Sequence, residues 1–278
     1  MNKPIKILLL VVAIIVAIGG VMFFCKTRVA PPANLTFNNQ YVGAVKNDID
    51  KVNTLSSIDD ANSSYSRILH NIDFQWKNTL LTDAERDDLL KSFVNVFAPT
   101  YAGQCDHVFD RSTWDEGSLS KIQDYIKDIQ GLKCTDGSKC LASDGSLNRI
   151  TDVITNYHKA KSIASASKYN GLQSAKETIR AAHEYANMSP LKNCTALKEK
   201  LNGVANRLNQ SHVASLTSMV ERLKNWHNYS EDSYDALAME VSEKLKEYKH
   251  NARSVYGTAS DISSLENRAS TYYNNSEF

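Results

Sequence analysis

The sequence predicts an all-α protein: a single N-terminal transmembrane helix, then an elongated extracytoplasmic antiparallel bundle of about seven helices. Three observations point there. Ile7 to Cys25 is an uninterrupted apolar run; apolar residues recur at intervals of three and four along much of the remainder; and there are only 5 Pro in 278 residues. That spacing gives each helix one apolar stripe, which has to be buried against a neighbour. The turn-rich punctuation of a β-sandwich is missing.

The apolar run comes first. At about 1.5 Å of rise per residue it covers roughly 28 Å, close to the hydrocarbon thickness of a bilayer. A cleaved signal peptide has a shorter apolar region and a small-x-small cleavage site. Here the run ends in Met22, Phe23, Phe24 and Cys25, and the next small residue, Ala30, is followed by Pro31 and Pro32. Lipidation of Cys25 needs a small residue where Phe24 stands. A retained anchor over residues 7–25 is therefore expected, with cleavage and lipidation as the alternatives, and residues 1–6 would remain in the cytoplasm. Lys3 and Lys6 before the run and Lys26 and Arg28 after it leave only a slight positive-inside bias. The orientation rests more on Cys105, Cys134, Cys140 and Cys194. An even set suits disulfides in an oxidising compartment, the periplasm or cell surface. Four reduced, buried thiols in a cytoplasmic body are the other reading.

Residues 26–40, with the Pro31-Pro32 pair and several Asn, read as a tether. The bundle follows as a first part, 41–187, and a second part, 188–270, with 271–278 as a frayed tail. Its stripes are Ile122, Ile126 and Ile129; Leu147, Ile150, Ile154 and Tyr157; Leu197, Leu201, Val204 and Leu208; Leu216, Val220 and Leu223. The longest is Leu237, Val241, Leu245, Tyr248, Ala252 and Val255. Thr82-Asp-Ala-Glu85 and Ser263-Ser-Leu-Glu266 are capping-box patterns, and Ser230 with Glu231 and Asp232 behind it opens a third helix. Stops fall at Pro99, Asp136-Gly137, Asp144-Gly145, Gly171 and Met188-Ser-Pro190.

Cys134 and Cys140 flank Thr-Asp-Gly-Ser-Lys, a turn-forming segment, and are expected to clasp that loop. A helix over 118–132 would hold Cys105 and Cys134 about 22 Å apart, against the roughly 7 Å that a disulfide allows. Cys105 is therefore paired with Cys194, closing a loop of about 90 residues. Metal binding is not expected: Cys105-Asp-His107 and Cys134/Cys140 lack the spacing within each ligand pair that zinc sites use.

The function classes narrow by charge and motif. Lys3, Lys6, Lys26 and Arg28 account for four of the 32 Lys+Arg, so the remainder carries 28 against 31 Asp+Glu, near −3. No basic excess draws nucleic acid. Phosphate-binding glycine loops, dinucleotide fingerprints and nucleophile elbows are absent. His183-Glu184-Tyr-Ala-Asn187 has Asn where the zinc-protease helix needs its second His. Ser-x-x-Lys recurs at Ser118, Ser165 and Ser189 without the partner elements of penicillin-binding enzymes. The acids Asp83, Glu85, Asp87 and Asp88 sit on the first turns of a helix, where they favour its dipole. No catalytic residue, cofactor or metal is assigned.

Aromatics are more suggestive. Trp226, His227 and Tyr229 cluster just before the Ser230 helix start, and Tyr157-His158 and Tyr272-Tyr273 are similar pairs. Such groups suit protein or carbohydrate contact, so Trp226, His227 and Tyr229 are the candidate interaction surface. Tyr229-Ser-Glu-Asp-Ser-Tyr-Asp-Ala-Leu237, followed by a helix, resembles the linker-to-helix step of the three-helix FIVAR-type modules of bacterial surface proteins. The resemblance covers well under a fifth of the chain, and no function is carried over from it. The expected role is a membrane-anchored, non-catalytic interaction or scaffold module of a bacterial envelope, with a protein partner there. An envelope hydrolase whose site forms no linear motif, or the ligand-binding subunit of a sensor complex, are the alternatives.

Overall fold

The computed structural model describes residues 37–276, apart from 112 and 142–144. The expected anchor over 7–25 and its orientation lie outside the described residues. Among those residues every regular element is helical, and the only strand-like pairing is one isolated bridge between Lys133 and Lys139. No described helix is long and apolar enough to cross a membrane. The helices are α1 (Phe37–Asp50), α2 (Ile58–Lys77), α3 (Asp83–Asp110), α4 (Glu116–Gly131), α5 (Asn148–Ala164), α6 (Leu172–Asn187), α7 (Thr195–Asn202), α8 (Val204–Leu223), α9 (Glu231–Tyr256) and α10 (Ser263–Asn274). Helix begins at Phe37, inside the segment read as a tether, and runs to Asn274, inside the segment read as a frayed tail.

Contacts divide the chain into two compact units, and the divisions fall within α3, within α4 and just before α5. One comprises residues up to 105 together with 124–147; the other comprises 106–123 together with 148–278.

The first unit is built on an aromatic spine. Phe93, Phe97 and Tyr101 succeed one another at four-residue intervals along α3 and are fully buried. Their ring centroids are 5.2 and 5.4 Å apart, and Tyr65 of α2 lies 5.1 Å from Phe97 and 5.7 Å from Phe93. This spine explains why Pro99, expected to end a helix, lies inside α3. An interior proline costs about 3 kcal/mol. Burying one large apolar side chain contributes about 1.5–3 kcal/mol, and Phe93, Phe97 and Tyr101 are buried on the two sides of the proline. The Thr82 capping box forms as expected: Glu85 Oε2 accepts from the Thr82 N–H at 2.8 Å and Thr82 Oγ1 accepts from the Glu85 N–H at 3.2 Å. Ser57 caps α2 in the same way, accepting from the Asp60 N–H at 3.1 Å.

In the second unit α8 packs on α9, α10 and α6; α9 also packs on α6 and α10; and α5, α6 and α7 pack on one another. The buried stripe of α9 is the expected Leu237, Val241, Leu245, Tyr248, Ala252 and Val255. Gly257 ends that helix in the left-handed region at φ 76°, a conformation that favours glycine, with its N–H on the Arg253 carbonyl. Two local expectations fail. The stripe Leu197–Leu208 is split by Gly203 into α7 and α8, where the Arg207 guanidinium fills the space a Cβ would take. The Ser263 box does not form, because Asp261 Oδ1 accepts from the Ser263 N–H at 2.9 Å. Ser230 does open α9 as expected, standing at its N-cap with Glu231 and Asp232 in the first turn, although its hydroxyl faces Ser233 Oγ at 2.9 Å. Gly171 precedes α6 rather than ending a helix, whereas Met188-Ser-Pro190 does follow the end of α6.

Candidate interaction surface

Tyr234, in the first turn of α9, organises the expected aromatic site. Its side chain is wholly buried, and its hydroxyl lies 3.0 Å from the Leu223 carbonyl and 3.1 Å from that of Tyr272. One phenol therefore ties the end of α8, the start of α9 and the end of α10. Tyr273 stacks on its ring at 6.0 Å and 6°, remains 44% exposed, and donates its own hydroxyl to Asp235 at 3.0 Å. Tyr229 packs beside Tyr234 at 6.3 Å, half-buried. Trp226 and His227 sit in a short 3-10 turn, Trp226–Asn228, with their rings edge to face at 6.0 Å. Trp226 is half-buried and His227 exposed. Thus Tyr229 joins a cluster with Tyr234 and Tyr273, while Trp226 and His227 form a neighbouring pair in sequence.

A shallow hollow of about 270 Å³ opens between α9 and α10, lined by Ser242, Leu245, Lys246, Ala269, Ser270 and Tyr273. Ser242, Ala269 and Ser270 are the small side chains of its lining, and Glu266 completes it. Met239, one turn before Ser242 on α9, is 66% exposed. Nothing in the apolar periodicity of α9 marks Met239, because it lies off the buried stripe; only its exposure reveals it.

The second pair of interest differs from expectation. Tyr157 of Tyr157-His158 is buried against Trp114 at 5.8 Å, so only His158 is presented, within 3.3 Å of Gln123 Oε1.

Sequence reasoning missed a buried polar cluster around His212. The imidazole stacks on Tyr169 at 3.7 Å and 7°, and Nδ1 shares a hydrogen bond with the Tyr256 hydroxyl at 3.0 Å. Tyr248 donates its hydroxyl to Asn209 Oδ1 at 2.7 Å and accepts the Ser260 N–H at 2.9 Å. Burial is the main reason the His212 pKa falls to about 4, with Glu247 opposing and Lys244 adding to the effect. The imidazole is thus neutral at pH 7. Its place was legible: His212 falls midway between Leu208 and Leu216, at four-residue steps on the buried face of α8.

All four described cysteines are buried thiols, so neither expected disulfide is present in the structure. Cys134 and Cys140 do come together, with Sγ atoms 2.7 Å apart. Their loop turns at Asp136-Gly137 as expected, with the Cys134 N–H on the Ser138 carbonyl and the Cys140 N–H on the Leu132 carbonyl. Burial and the neighbouring Cys134 push the Cys140 thiol up to about 12. Asp87 holds the loop, accepting the Thr135 N–H at 3.0 Å and its hydroxyl at 2.5 Å. Asp87 is therefore a loop anchor rather than merely a charge at a helix start. The Cys105–Cys194 staple is corrected too: both are free thiols enclosed by burial, Cys105 beside Tyr101 and Cys194 beside Tyr157. Among the described residues no group of three or more His, Cys, Asp or Glu is arranged to hold a metal ion.

Comparison with protein families, curated proteins and solved structures finds no match.

Proposed function

We propose that the chain is a membrane-tethered, extracytoplasmic helical module that contacts a protein partner in a bacterial envelope through the aromatic end of its second unit. The observation that carries this reading is the Tyr234 arrangement. A buried phenol fixes three helix ends, so that Tyr273, half-buried Tyr229 and the adjacent Trp226-His227 turn are held on an ordered base. Rigid aromatic side chains lose little conformational freedom on binding and bury large areas, which is why they dominate interface energetics. The tether rests on the apolar run Ile7 to Cys25. The extracytoplasmic placement rests on the Cys134/Cys140 pair, whose sulfurs would join in an oxidising compartment with loss of two protons and two electrons to a disulfide-bearing oxidant.

The test is crosslinking in intact native membranes followed by capture of the full-length chain. A defined partner whose yield drops at least about tenfold in a Trp226→Ala/Tyr229→Ala variant, with helical content unchanged, is the expected result; hot-spot aromatics are worth about 2 kcal/mol or more each. Turnover of a cell-wall substrate without any captured partner would overturn the reading. Membrane-impermeant thiol labelling with and without prior reduction checks the compartment: Cys134 and Cys140 should label only after reduction and unfolding.

A further inference from the structure

The outward face of α9 is complementary to itself. Asp232, Asp235, Met239, Glu243, Lys246 and Arg253 all lie within an arc of about 100° at 100° per residue, opposite the buried stripe, and all are exposed. Ser242 and His250 share this face and are likewise exposed. Turning the helix end for end about a point between Ser242 and Glu243 superposes acid on base: Asp232 falls opposite Arg253, and Asp235 opposite His250. The same operation sets Met239 opposite Lys246, and Ser242 opposite Glu243. Lys246 and Ser242 line the 270 Å³ hollow between α9 and α10, so the protruding Met239 meets a recess.

We infer that a second copy of this chain docks here, as an antiparallel pair of α9 helices about a twofold axis passing between Ser242 and Glu243. Such a contact is isologous: every residue pair occurs twice. The helix macrodipole accounts for acids at the start of α9 and bases at its end. It does not account for an apolar side chain exposed to 66% midway between them, set seven residues from the rim of a hollow that would receive its twin. The face is about 31 Å long at 1.5 Å per residue. One helix width of that length buries less than the roughly 800 Å² per partner of a standard interface, so the pair is weak and salt-sensitive, and two-dimensional confinement of a tethered chain would raise its occupancy. This contact uses none of Trp226, His227 and Tyr229, but it borders the aromatic site, because Tyr273 lines the same hollow and donates its hydroxyl to Asp235.

The experiment is sedimentation velocity of the full-length chain in density-matched detergent micelles, up to about 200 μM. A monomer–dimer equilibrium is expected, weakening at least about tenfold in Arg253→Asp and in Asp232→Arg, since each sets like charges together across the axis. The double variant D232R/R253D should recover the original constant, which also shows that the single variants did not simply fail to fold. Met239→Lys should also weaken the pair, since it removes the apolar side chain and sets a second ammonium opposite Lys246. A monomer at every concentration would overturn the inference. So would a dimer indifferent to Arg253→Asp, or a double variant no better than the singles.

Discussion

Both units bury tyrosines against other aromatic rings, but the second ties more of their hydroxyls into hydrogen bonds. In the first unit Tyr65 packs against Phe93, Phe97 and Tyr125, and its buried hydroxyl has no hydrogen-bond partner among the described residues. In the second, the hydroxyls of Tyr234, Tyr248 and Tyr256 all meet partners, from the Leu223 carbonyl to Asn209, Ser260 and His212. The first core is held by ring packing, with little directional preference. The second is keyed by polar groups that must find one another. An apolar core tolerates substitutions that preserve volume, whereas a satisfied polar network leaves a costly orphan when one member is removed.

The largest effect should come from breaking the spine of the first unit. Phe97→Ala is expected to destabilise the protein by about 3–5 kcal/mol, through lost burial and the cavity left among Phe93, Tyr101 and Tyr65; urea denaturation measures it. A loss under about 1 kcal/mol would mean that the ring stack is not what keeps α3 helical through Pro99.

Next comes the pH response of the second unit. His212 has a folded pKa near 4 against roughly 6.5 unfolded. The unfolded chain therefore binds more protons between those values, and the stabilisation present above pH 6.5 is lost as pH falls towards 4. At 1.36 kcal/mol per pH unit the loss is about 2–3 kcal/mol. Comparing stability at pH 7 and pH 4.5 for the native chain and for His212→Phe isolates the contribution. An equal pH response in both would remove His212 as its origin.

The smallest effects give the sharpest contrast between the units. Tyr248→Phe strands Asn209 Oδ1 and the Ser260 N–H and should cost about 1–3 kcal/mol. Tyr65→Phe removes a hydroxyl that lacks a partner and should lie within about 0.5 kcal/mol of neutral, or stabilise slightly. Equal losses at the two positions would erase the distinction.

Legibility followed the range of the interaction. The α9 stripe and the Thr82 box could be read directly, because both depend on residues three or four apart. Failure at Ser263 was also local, since Asp261, two residues before it, took the backbone N–H first. The first two helices carried no stripe that was read in advance, although Ala61, Tyr65, Ile68 and Ile72 recur on α2 at intervals of four, three and four and are buried. Of the candidate surface, Trp226, His227 and Tyr229 stood out by composition, but the role of Tyr234 required three helix ends to be brought together.

What the sequence determined by itself is the helical class, the buried face of its longest stripe and the turn between Cys134 and Cys140. These follow from the 3.6-residue period and from turn chemistry, both properties of neighbouring residues. Only the tertiary structure decided that Pro99 stays inside a helix, that Cys105 and Cys194 are buried as free thiols, and that His212 is neutral within a cluster of tyrosines. Each of those outcomes depends on burial and on partners from distant segments, and the free energy of a proline, a thiol or an imidazole is set by those surroundings rather than by the residues beside it in the chain.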